Sequence, residues 1–449
     1  MPAKYPADIF SLGRLPMEAA FVSKPIRVLH IITRMIVGGA QENTLLTVEW
    51  LNRTQNFRAA LVSGVDGGPE GELLDHVRAS TPVMIVRELG RAINPWADAM
   101  AFLKIYRIIR QGRYHIVHTH SSKAGVLGRA AARLAGTPFV IHTIHGLAFH
   151  DYQPRAINWL WRTVKRLCAP MTDHFISVSN NISRKVVAAG IAHPDKFTTI
   201  YSGMELDRFL HDPVDPREVR GEFGIDAHSP VVGKIARLFP LKGHDQLLDA
   251  APAIVRRHPE VRFLLVGDGI LTDRIRERAR EMGILGNFVF TGLVPPARIP
   301  QLLGAMDVLV HTSLREGLAR VLPQALAMGK PCVSYELDGA PEVVIPDETG
   351  FLVKPGDSCA LADAITRLLS DPDLRFRMGE AGRRLVNPRF RAETMVTEIA
   401  KVYSTLMDKY PERLNAFDAR SGSLKWLPSW QAPFFRGAER NCTVDRRCT

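Results

Sequence analysis

Cysteine is scarce in this sequence, and long apolar runs are missing. A small, odd number of cysteines argues against a disulfide framework and favours a reducing compartment, with the cytoplasm as the default. No segment approaches the roughly 18 uninterrupted apolar residues that a membrane span needs. Residues 1–20 lack the compact apolar segment of a secretory signal. The sequence thus predicts a cytoplasmic protein. Its five cysteines are Cys168, Cys332, Cys359, Cys442 and Cys448.

Acidic residues are scarce in the first half of the sequence. Residues 1–200 hold 24 Lys and Arg against 13 Asp and Glu, so this half accounts for +11 of the net charge of +12. Such a surplus favours an anionic partner, whether nucleic acid, a lipid surface or a phosphorylated substrate. Solubility alone explains the asymmetry equally well.

Short apolar segments alternate with helical patterns, which predicts an α/β fold with parallel sheets covered on both faces. Helices are expected between the strands, for example over 123–135 and 180–189. The predicted strands of the first half are 26–33, 58–64, 82–88, 115–120, 139–145, 174–179 and 197–202. Those of the second half are 231–237, 262–268, 287–292, 307–313 and 331–337.

Aspartate, proline and glycine are concentrated at 211–230, which is typical of a linker. With 449 residues, the chain is long enough for two domains of about 200 residues each. We therefore place the domains at 1–205 and 206–390, followed by a helix at 391–410. Residues 411–449 show no periodicity and are predicted to be disordered.

Glycine-containing turns follow two of the predicted strands. Gly38 and Gly39 lead into a helix, where close backbone approach and a helix N-terminus favour an anion. A plain strand-to-helix turn is the more common explanation of such a pair. Gly267 and Asp268 close the strand 262–268, where glycine lets a ligand approach and Asp268 is predicted to cap the next helix.

Two cations are expected at one strand end. Arg237 ends the strand 231–237, and Lys242 precedes the following helix. Open parallel sheets bind ligands at the carboxyl ends of their strands. Arginine and lysine there are suited to neutralising a departing diphosphate, whereas the alternative is a pair of solvated surface cations.

Polar residues also follow the later strands. Glu316 lies in a loop after the strand 307–313, where its carboxylate is suited to holding sugar hydroxyls or, alternatively, to capping a helix. Gln324 comes eight residues later, about two helical turns along, and is suited to a ribose. Glu342 follows the next strand end and is a further candidate for binding substrate.

In this order and spacing, the motifs resemble the family 4 retaining glycosyltransferases, whose GT-B fold has two facing Rossmann-like domains. The resemblance covers about 25–405. The matching segments are VGGAQ, HTIHG, ISVSNNISRKVVAAGI, YSGMELDRF, VGKIARLFPLKGHDQLL, LLVGDG, VFTGLV and the block 311–344.

The resemblance implies transfer of a sugar from a nucleotide-diphosphate sugar to a glycan or lipid-linked acceptor, with retention and without cofactor, metal or nucleic acid. It also implies that the final helix returns to the first domain. By this resemblance, Gly39 approaches the donor phosphate, and His145 lies near the donor sugar. Arg237 and Lys242 bind the diphosphate, and Glu316 holds the sugar.

Gln324 departs from the family, which has a second acid at this position, although an amide still accepts and donates hydrogen bonds. Two alternatives therefore stay open. A sugar-nucleotide 2-epimerase shares the architecture and changes its sugar nucleotide with no acceptor present. A non-catalytic nucleotide-sugar-binding module, with Gln324 marking lost chemistry, binds without transferring or hydrolysing a donor.

Several histidines lie near strand ends in the first half. A zinc site needs three or four converging ligands, and we favour instead that these side chains line the acceptor side of a cleft. They are His115, His118, His120, His142 and His150.

The segment 153–170 is predicted to form an amphipathic helix. Its apolar stripe either packs on its own sheet or, with the basic flank, contacts an anionic bilayer as a peripheral protein on the inner face of the membrane. The stripe consists of Ile157, Leu160, Trp161, Val164 and Cys168, and the flank of Arg155, Arg162, Lys165 and Arg166.

Overall fold

The computed structural model describes residues 24–65, 73–77 and 81–420. The predictions for 1–23, for 421–449 and for Cys442 and Cys448 lie outside these residues. Within them the chain forms two α/β domains, each built on a parallel sheet. Among the helices described, we find none with the length and apolarity to cross a membrane.

The N-terminal domain is a parallel sheet with helices on both faces. Its described strands are β1 (Ile26–Arg34), β2 (Phe57–Gly64), β3 (Val83–Ile85), β4 (Ile116–His120), β5 (Phe139–Ile144), β6 (His174–Ser177) and β7 (Phe197–Thr199). Its helices are α1 (Gly39–Arg53), α2 (Pro95–Gly112), α3 (Ser122–Leu134), α4 (Arg155–Cys168), α5 (Asn180–Ala188) and α6 (Asp207–Leu210). The strand order is β3-β2-β1-β4-β5-β6-β7.

The second domain repeats this arrangement. Its strands are β8 (Val231–Ile235), β9 (Arg262–Val266), β10 (Phe288–Phe290), β11 (Val308–His311), β12 (Cys332–Tyr335) and β13 (Gly350–Val353). Its helices are α7 (Pro216–Glu222), α8 (His244–Arg257), α9 (Thr272–Glu281), α10 (Ile299–Ala305), α11 (Val321–Ala327), α12 (Ser358–Ser370) and α13 (Pro372–Val386). The order β10-β9-β8-β11-β12-β13 matches the first six strands of the other sheet, so the predicted architecture of two Rossmann-like domains is confirmed.

Both faces of the N-terminal sheet are buried, because its strands are apolar on both sides. On one face, Val28 packs in a cluster with Val48 of α1 and with Ile399 from the end of the chain. On the other face, Leu29 packs in a cluster with Ile105 of α2. This covering leaves the strand ends as the places where polar side chains reach a ligand.

The predicted linker 211–230 contains the short helix α7, which is fixed to the second domain. Arg220 of this helix donates a hydrogen bond to the Ala305 carbonyl oxygen at 2.9 Å and pairs with Asp307 at 3.0 Å. Because of these contacts, the end of the connection belongs structurally to the second domain.

The chain then returns to the first domain through α14 (Ala392–Lys409), as predicted. Met395, Ile399 and Tyr403 of α14 are buried in the same cluster as β1. This helix therefore completes the core of the N-terminal domain, although it follows the second domain in sequence.

The prediction that disorder begins at 411 is wrong, because α15 (Pro411–Ala419) follows α14. Arg413 pairs with Asp173 at 2.9 Å, and Asp418 pairs with His115 at 3.2 Å. These contacts with the residues directly before β6 and β4 fix a helix whose own sequence lacks a clear apolar face.

Candidate active site

A cavity of about 590 Å³ lies between the two domains. It is bordered by α1 of the first domain and by the loops after β8 and β11 of the second. The structure thus brings together, at the carboxyl ends of both sheets, residues that are far apart in sequence. Among the residues that line it are Gly39, Glu42, Lys242, Glu316, Arg320 and Gln324.

The glycine turn places the start of α1 against the second domain. Gly39 is the first residue of α1, and a Cβ added to it would lie 3.1 Å from Cδ of Arg320. Arg320 pairs with Glu42 of α1 at 2.7 Å. Sequence reasoning missed Arg320, although a cation at the start of a helix opposes the helix dipole and signals an anionic partner elsewhere.

Lys242 and Glu316 form the charged centre of the cavity. Lys242 Nζ lies 2.5 Å from Glu316 Oε1, and His311 Nε2 lies 4.0 Å from the same oxygen. Burial acts to raise the pKa of Glu316, but the neighbouring Lys242, through its charge and its hydrogen bond, outweighs burial and holds the pKa below its ordinary value. Glu316 is therefore ionised at neutral pH, and its carboxylate is an acceptor for hydroxyl groups.

The backbone of Glu316 is held by an acid of the next strand end. Its N–H donates to Asp338 Oδ2 at 2.7 Å, and Asp338 also pairs with Lys185 of α5 at 2.7 Å. The loop that carries Glu316 is thereby connected to the N-terminal domain through one carboxylate.

A second lysine lies buried behind Lys242. Lys234 of β8 donates to Thr312 Oγ1 at 2.7 Å, and Thr312 in turn donates to the Gly243 carbonyl oxygen at 2.6 Å. Burial, with the charge of Lys242, lowers the pKa of Lys234 to about 7. The sequence analysis missed Lys234, although a lysine inside an apolar strand was the signal.

Arg237 is exposed and lies two residues beyond β8, with its guanidinium 5.1 Å from the centre of the Phe239 ring. Its carbonyl oxygen accepts a hydrogen bond from His244 Nε2 at 2.9 Å. Gly267 faces this segment with φ 130°, and a Cβ there would lie 2.3 Å from the Ala236 carbonyl oxygen. Gly267 thus permits two strand ends to approach closely.

The prediction that Asp268 caps the next helix is wrong. Helix α9 begins at Thr272 after an N-cap Leu271 that makes no side-chain capping bond. The Asp268 carboxylate instead accepts from the Gly269 N–H at 2.7 Å and from Thr272 Oγ1 at 2.8 Å. The acid therefore closes the turn ahead of the helix.

His145 lies just after β5, where the two domains touch. Its Nε2 is 3.0 Å from Nδ1 of His120. Burial, with the charge of Arg320, lowers the pKa of His145 to about 4, so its ring is neutral. A Cβ on Gly317 would lie 1.9 Å from the His145 carbonyl oxygen, so the glycine beside Glu316 is required for this contact.

Glu342 joins the two domains. Its carboxylate accepts from the N–H groups of Asn180 and Asn181 at 2.9 and 3.0 Å, and from the Tyr201 hydroxyl at 2.9 Å. An anion at the start of α5 is favourable for the helix dipole. These contacts are between protein groups, and substrate binding by Glu342 stays a prediction.

The expectation that the strand-end histidines line a cleft is wrong for four of the five. His115, His118, His120 and His142 are buried in the N-terminal domain. His142 bonds to Thr119 within the sheet, whereas His118 and His120 meet a histidine that the sequence analysis missed, His30 of β1.

Only part of the apolar stripe predicted for helix α4 is buried. Cys168 is buried, whereas Leu160 is 52% exposed, so packing on the sheet accounts for part of the stripe. The prediction that Lys165 belongs to an exposed basic flank is wrong, because Lys165 is buried near Arg129. Burial, with the charge of Arg129, lowers the pKa of Lys165 to about 8.

Comparison with known proteins identifies the family. Residues 37–208 match the family described as Glycosyltransferase Family 4, and residues 215–385 match the glycosyl transferases group 1. A GDP-mannose-dependent alpha-(1-6)-phosphatidylinositol monomannoside mannosyltransferase of Mycobacterium tuberculosis is 31% identical over 60% of this chain and 70% of its own length. The chain is a family 4 glycosyltransferase.

Two further comparisons extend over more of this glycosyltransferase. A UDP-Gal:alpha-D-GlcNAc-diphosphoundecaprenol alpha-1,3-galactosyltransferase of Escherichia coli is 28% identical over 84% of this chain and 96% of its own length. The fold is similar to that of Anabaena Alr3699/HepE in complex with UDP, with a TM-score of 0.71, 24% identity, and coverage of 85% of this chain and all of that one. The GT-B fold is thus confirmed.

Proposed function

We propose that this glycosyltransferase moves a hexose from a nucleotide-diphosphate sugar, with UDP as the first candidate, to a lipid-linked acceptor. The main support for this proposal is the Lys242–Glu316 pair, which lines the cavity between the domains together with the start of α1. The UDP-Gal-dependent relative from Escherichia coli supports the choice of UDP, since it matches this chain over most of both lengths.

In the proposed reaction the configuration at the anomeric carbon is retained. The acceptor hydroxyl oxygen bonds to that carbon on the face from which the β-phosphate oxygen leaves, and the leaving oxygen takes the hydroxyl proton. Arg237 and Lys242 stabilise the charge that grows on the diphosphate. Glu316 accepts hydrogen bonds from sugar hydroxyls, Gln324 binds the ribose, and the starts of α1 and α8 favour the phosphates.

Donor choice and reaction class are tested together. The true donor among UDP-galactose, UDP-glucose and GDP-mannose should raise the melting temperature most, because ligand binding stabilises the folded state. That donor is then incubated with and without a diphosphate-linked lipid acceptor. A new sugar nucleotide formed without acceptor would establish the epimerase, and binding without any turnover would establish the binding module. Inverted linkage in the product, read by NMR, would refute retention.

The acceptor is proposed to be reached at an anionic membrane, which makes the enzyme a peripheral protein of the inner, cytoplasmic face. Both named relatives act on lipid-linked acceptors according to their names. On α4, Trp159 and Leu167 are 67% and 73% exposed beside Leu160. Aromatic and aliphatic side chains on one amphipathic helix are suited to the bilayer interface, and the surplus positive charge of residues 1–200 attracts anionic lipid.

Sedimentation with anionic vesicles tests this part. We expect wild type to bind at low salt and the Trp159→Ser/Leu160→Ser variant to bind about tenfold or more weakly, since each loses buried apolar area. Phe376→Ser is the matched control, because Phe376 of α13 is also 70% exposed but belongs to the second domain. If wild type stays in the supernatant at low salt, the membrane proposal is refuted and a soluble acceptor becomes the default.

A further inference from the structure

Asp338 contacts both domains and has a backbone conformation that aspartate adopts only occasionally. Its φ is 52°, in the left-handed region that favours glycine. Such a conformation costs free energy in a residue other than glycine and persists where the surroundings fix it. Asp338 lies after β12, and its side chain is 13% exposed. The contacts of this residue therefore indicate what the conformation serves.

Within the second domain, the Asp338 carboxylate holds the loop that carries Glu316. Its Oδ2 accepts a hydrogen bond from the Glu316 N–H at 2.7 Å. Hydrogen bonds to an ionised acceptor are stronger than those between neutral groups. The donor belongs to the backbone, so this bond restrains the main chain at Glu316 and with it the direction of the side chain. Glu316 lines the cavity between the domains, so Asp338 acts on a ligand through Glu316.

From the other side, α5 of the N-terminal domain holds Asp338 at two points. Lys185 Nζ pairs with Asp338 Oδ1 at 2.7 Å, and Asn181 Nδ2 donates to the Asp338 carbonyl oxygen at 2.8 Å. Asn181 and Lys185 are four residues apart and so share one face of α5. The two oxygens of one carboxylate are thus divided between the domains, with Oδ1 bound to α5 and Oδ2 bound to the Glu316 backbone.

The neighbours of Glu316 in sequence also contact the N-terminal domain. Arg315 donates a hydrogen bond to the Leu147 carbonyl oxygen. A Cβ on Gly317 would lie 1.9 Å from the His145 carbonyl oxygen. This short loop is therefore confined between the two domains, and a separation of the domains would release it.

We propose that Asp338 couples contact between the two domains to the position of Glu316. While α5 holds Asp338, Oδ2 fixes the Glu316 backbone, and the Glu316 carboxylate meets the donor sugar in one orientation. The part that concerns the sugar rests on the proposed function. Asp338 and Lys185 are positioning residues, since they act through Glu316. The competing explanation is an ion pair that only joins two surfaces, because exposed pairs contribute little and the Lys185 side chain is 45% exposed.

Substitutions at Asp338 and Lys185 separate the two explanations. Asp338→Gly removes the carboxylate and leaves a residue suited to the left-handed backbone. Asp338→Asn keeps an acceptor for the Glu316 N–H and tolerates the same conformation, but it removes the charge that pairs with Lys185. Lys185→Met removes the pair from the side of the other domain.

Matched controls exist for both kinds of change. Asp347→Gly is the control for Asp338→Gly, because Asp347 has a φ of 60° and its side chain is 72% exposed. Lys104→Met is the control for Lys185→Met, because Lys104 pairs with Glu88 at 2.5 Å inside the N-terminal domain. Both control variants should behave as wild type in the assays below.

Amide hydrogen exchange over 314–318, followed by mass spectrometry, tests the coupling without any substrate. Asp338→Gly should raise the exchange rate most, because the Glu316 N–H loses its acceptor. Lys185→Met and Asp338→Asn should each raise it about twofold to fivefold, the effect of one exposed ion pair. Exchange in Lys185→Met equal to that of wild type would overturn the coupling and leave Asp338 as a local brace. Unchanged exchange in Asp338→Gly would overturn the proposal altogether.

Binding of UDP-galactose and of UDP, measured by calorimetry, tests the effect on the sugar. Asp338→Gly should raise the Kd for UDP-galactose about tenfold or more, the scale of one hydrogen bond to a charged group. The Kd for UDP should change by about twofold or less, since Glu316 is proposed to hold the sugar. Asp338→Gly combined with Lys185→Met should bind no more weakly than Asp338→Gly, because both residues act by one route.

Equal losses of affinity for UDP-galactose and UDP in Asp338→Gly would overturn the positioning of Glu316, since a general structural defect affects both ligands. Additive losses in the double variant would overturn the route from Lys185 through Asp338. If wild type binds neither UDP-galactose nor UDP, the proposed choice of donor is contradicted instead, because the exchange measurement needs no substrate.

Discussion

Replacing Lys242 by methionine removes the cation beside Glu316 and keeps most of the apolar stem. In the wild type, Lys242 Nζ lies 2.5 Å from Glu316 Oε1, and the two side chains are 23% and 25% exposed. The variant leaves a largely buried carboxylate with the neutral His311 at 4.0 Å as its neighbour. Burial, which already acts to raise the pKa of Glu316, is then no longer outweighed. We expect the pKa of Glu316 to move from below its ordinary value to above it.

The magnitude follows from the exposure of the pair. Breaking a buried pair costs about 3–5 kcal/mol, and an exposed pair is worth less than about 1 kcal/mol. Because both side chains are about one quarter exposed, we expect Lys242→Met to lower the free energy of unfolding at pH 7 by about 2 kcal/mol, a value between these limits. For a domain near 200 residues this lowers the melting temperature by about 4–8 °C. Turnover should fall about 100-fold or more, because a transition-state contact to the leaving diphosphate is lost.

The pH dependence separates this explanation from simple loss of packing. In the wild type the lowered pKa of Glu316 contributes stability that is present above the ordinary value of 4.5 and is lost as the pH falls through the folded value. In Lys242→Met the raised pKa reverses the sign, so stability is lost as the pH rises above 4.5. The difference in melting temperature should therefore be large at pH 7 and shrink toward pH 4.5.

Melting curves from pH 4.5 to 8 measure this difference. The matched control is Lys242→Met combined with Glu316→Gln, which removes both charges and should recover most of the lost stability while turnover stays low. A melting difference that is the same at pH 4.5 and pH 7 would refute the electrostatic account. So would a double variant as unstable as the single one.

Two further variants test neighbouring parts of the site. Gln324→Glu should leave kcat/KM within about tenfold of wild type, because one hydrogen bond to the ribose replaces another; a gain of several orders of magnitude would mark the natural chain as a degraded enzyme. Lys234→Met should raise the free energy of unfolding by a few kcal/mol, as an order of magnitude, since a lysine with a lowered pKa is costly while charged. The gain in stability should be full below the folded pKa of Lys234, about 7, and should vanish as the pH approaches the ordinary value of 10.5. Melting curves that show the same gain at every pH would contradict this explanation.

Much of the fold was predictable from apolar runs, because a strand buried on both faces must be apolar almost throughout. The predicted strand 115–120 and the observed β4, Ile116–His120, agree closely for this reason. Strand ends were less predictable: the prediction 231–237 overran β8, Val231–Ile235, since the last residues leave the sheet to form the site. Helix α15 was missed because partners distant in sequence hold it.

The predictability of the site residues also depends on whether local sequence or distant contacts position them. Lys242 and Glu316, which line the cavity, were predicted because each follows a strand end, where local sequence already places a side chain at the ligand edge of a sheet. Arg320 and Lys234 were missed, because their contacts depend on Glu42 and Thr312, which pair with them across long stretches of sequence. Local pattern thus locates the edge of the site, and tertiary pairing decides which charges meet there.

The domain contact and the proposed donor site share the same short segment, 316–317. A Cβ on Gly317 would meet the His145 carbonyl oxygen at 1.9 Å, so Glu316 is positioned by backbone contact with the other domain. Gly339 repeats the device, since a Cβ there would lie 3.2 Å from Cβ of Ser179, which directly precedes α5 of the N-terminal domain. Because these contacts and the link of Glu342 to α5 all join the two domains, we expect a donor held by Glu316, as proposed, to gain affinity when the domains are together. By reciprocity, the same donor must favour their contact.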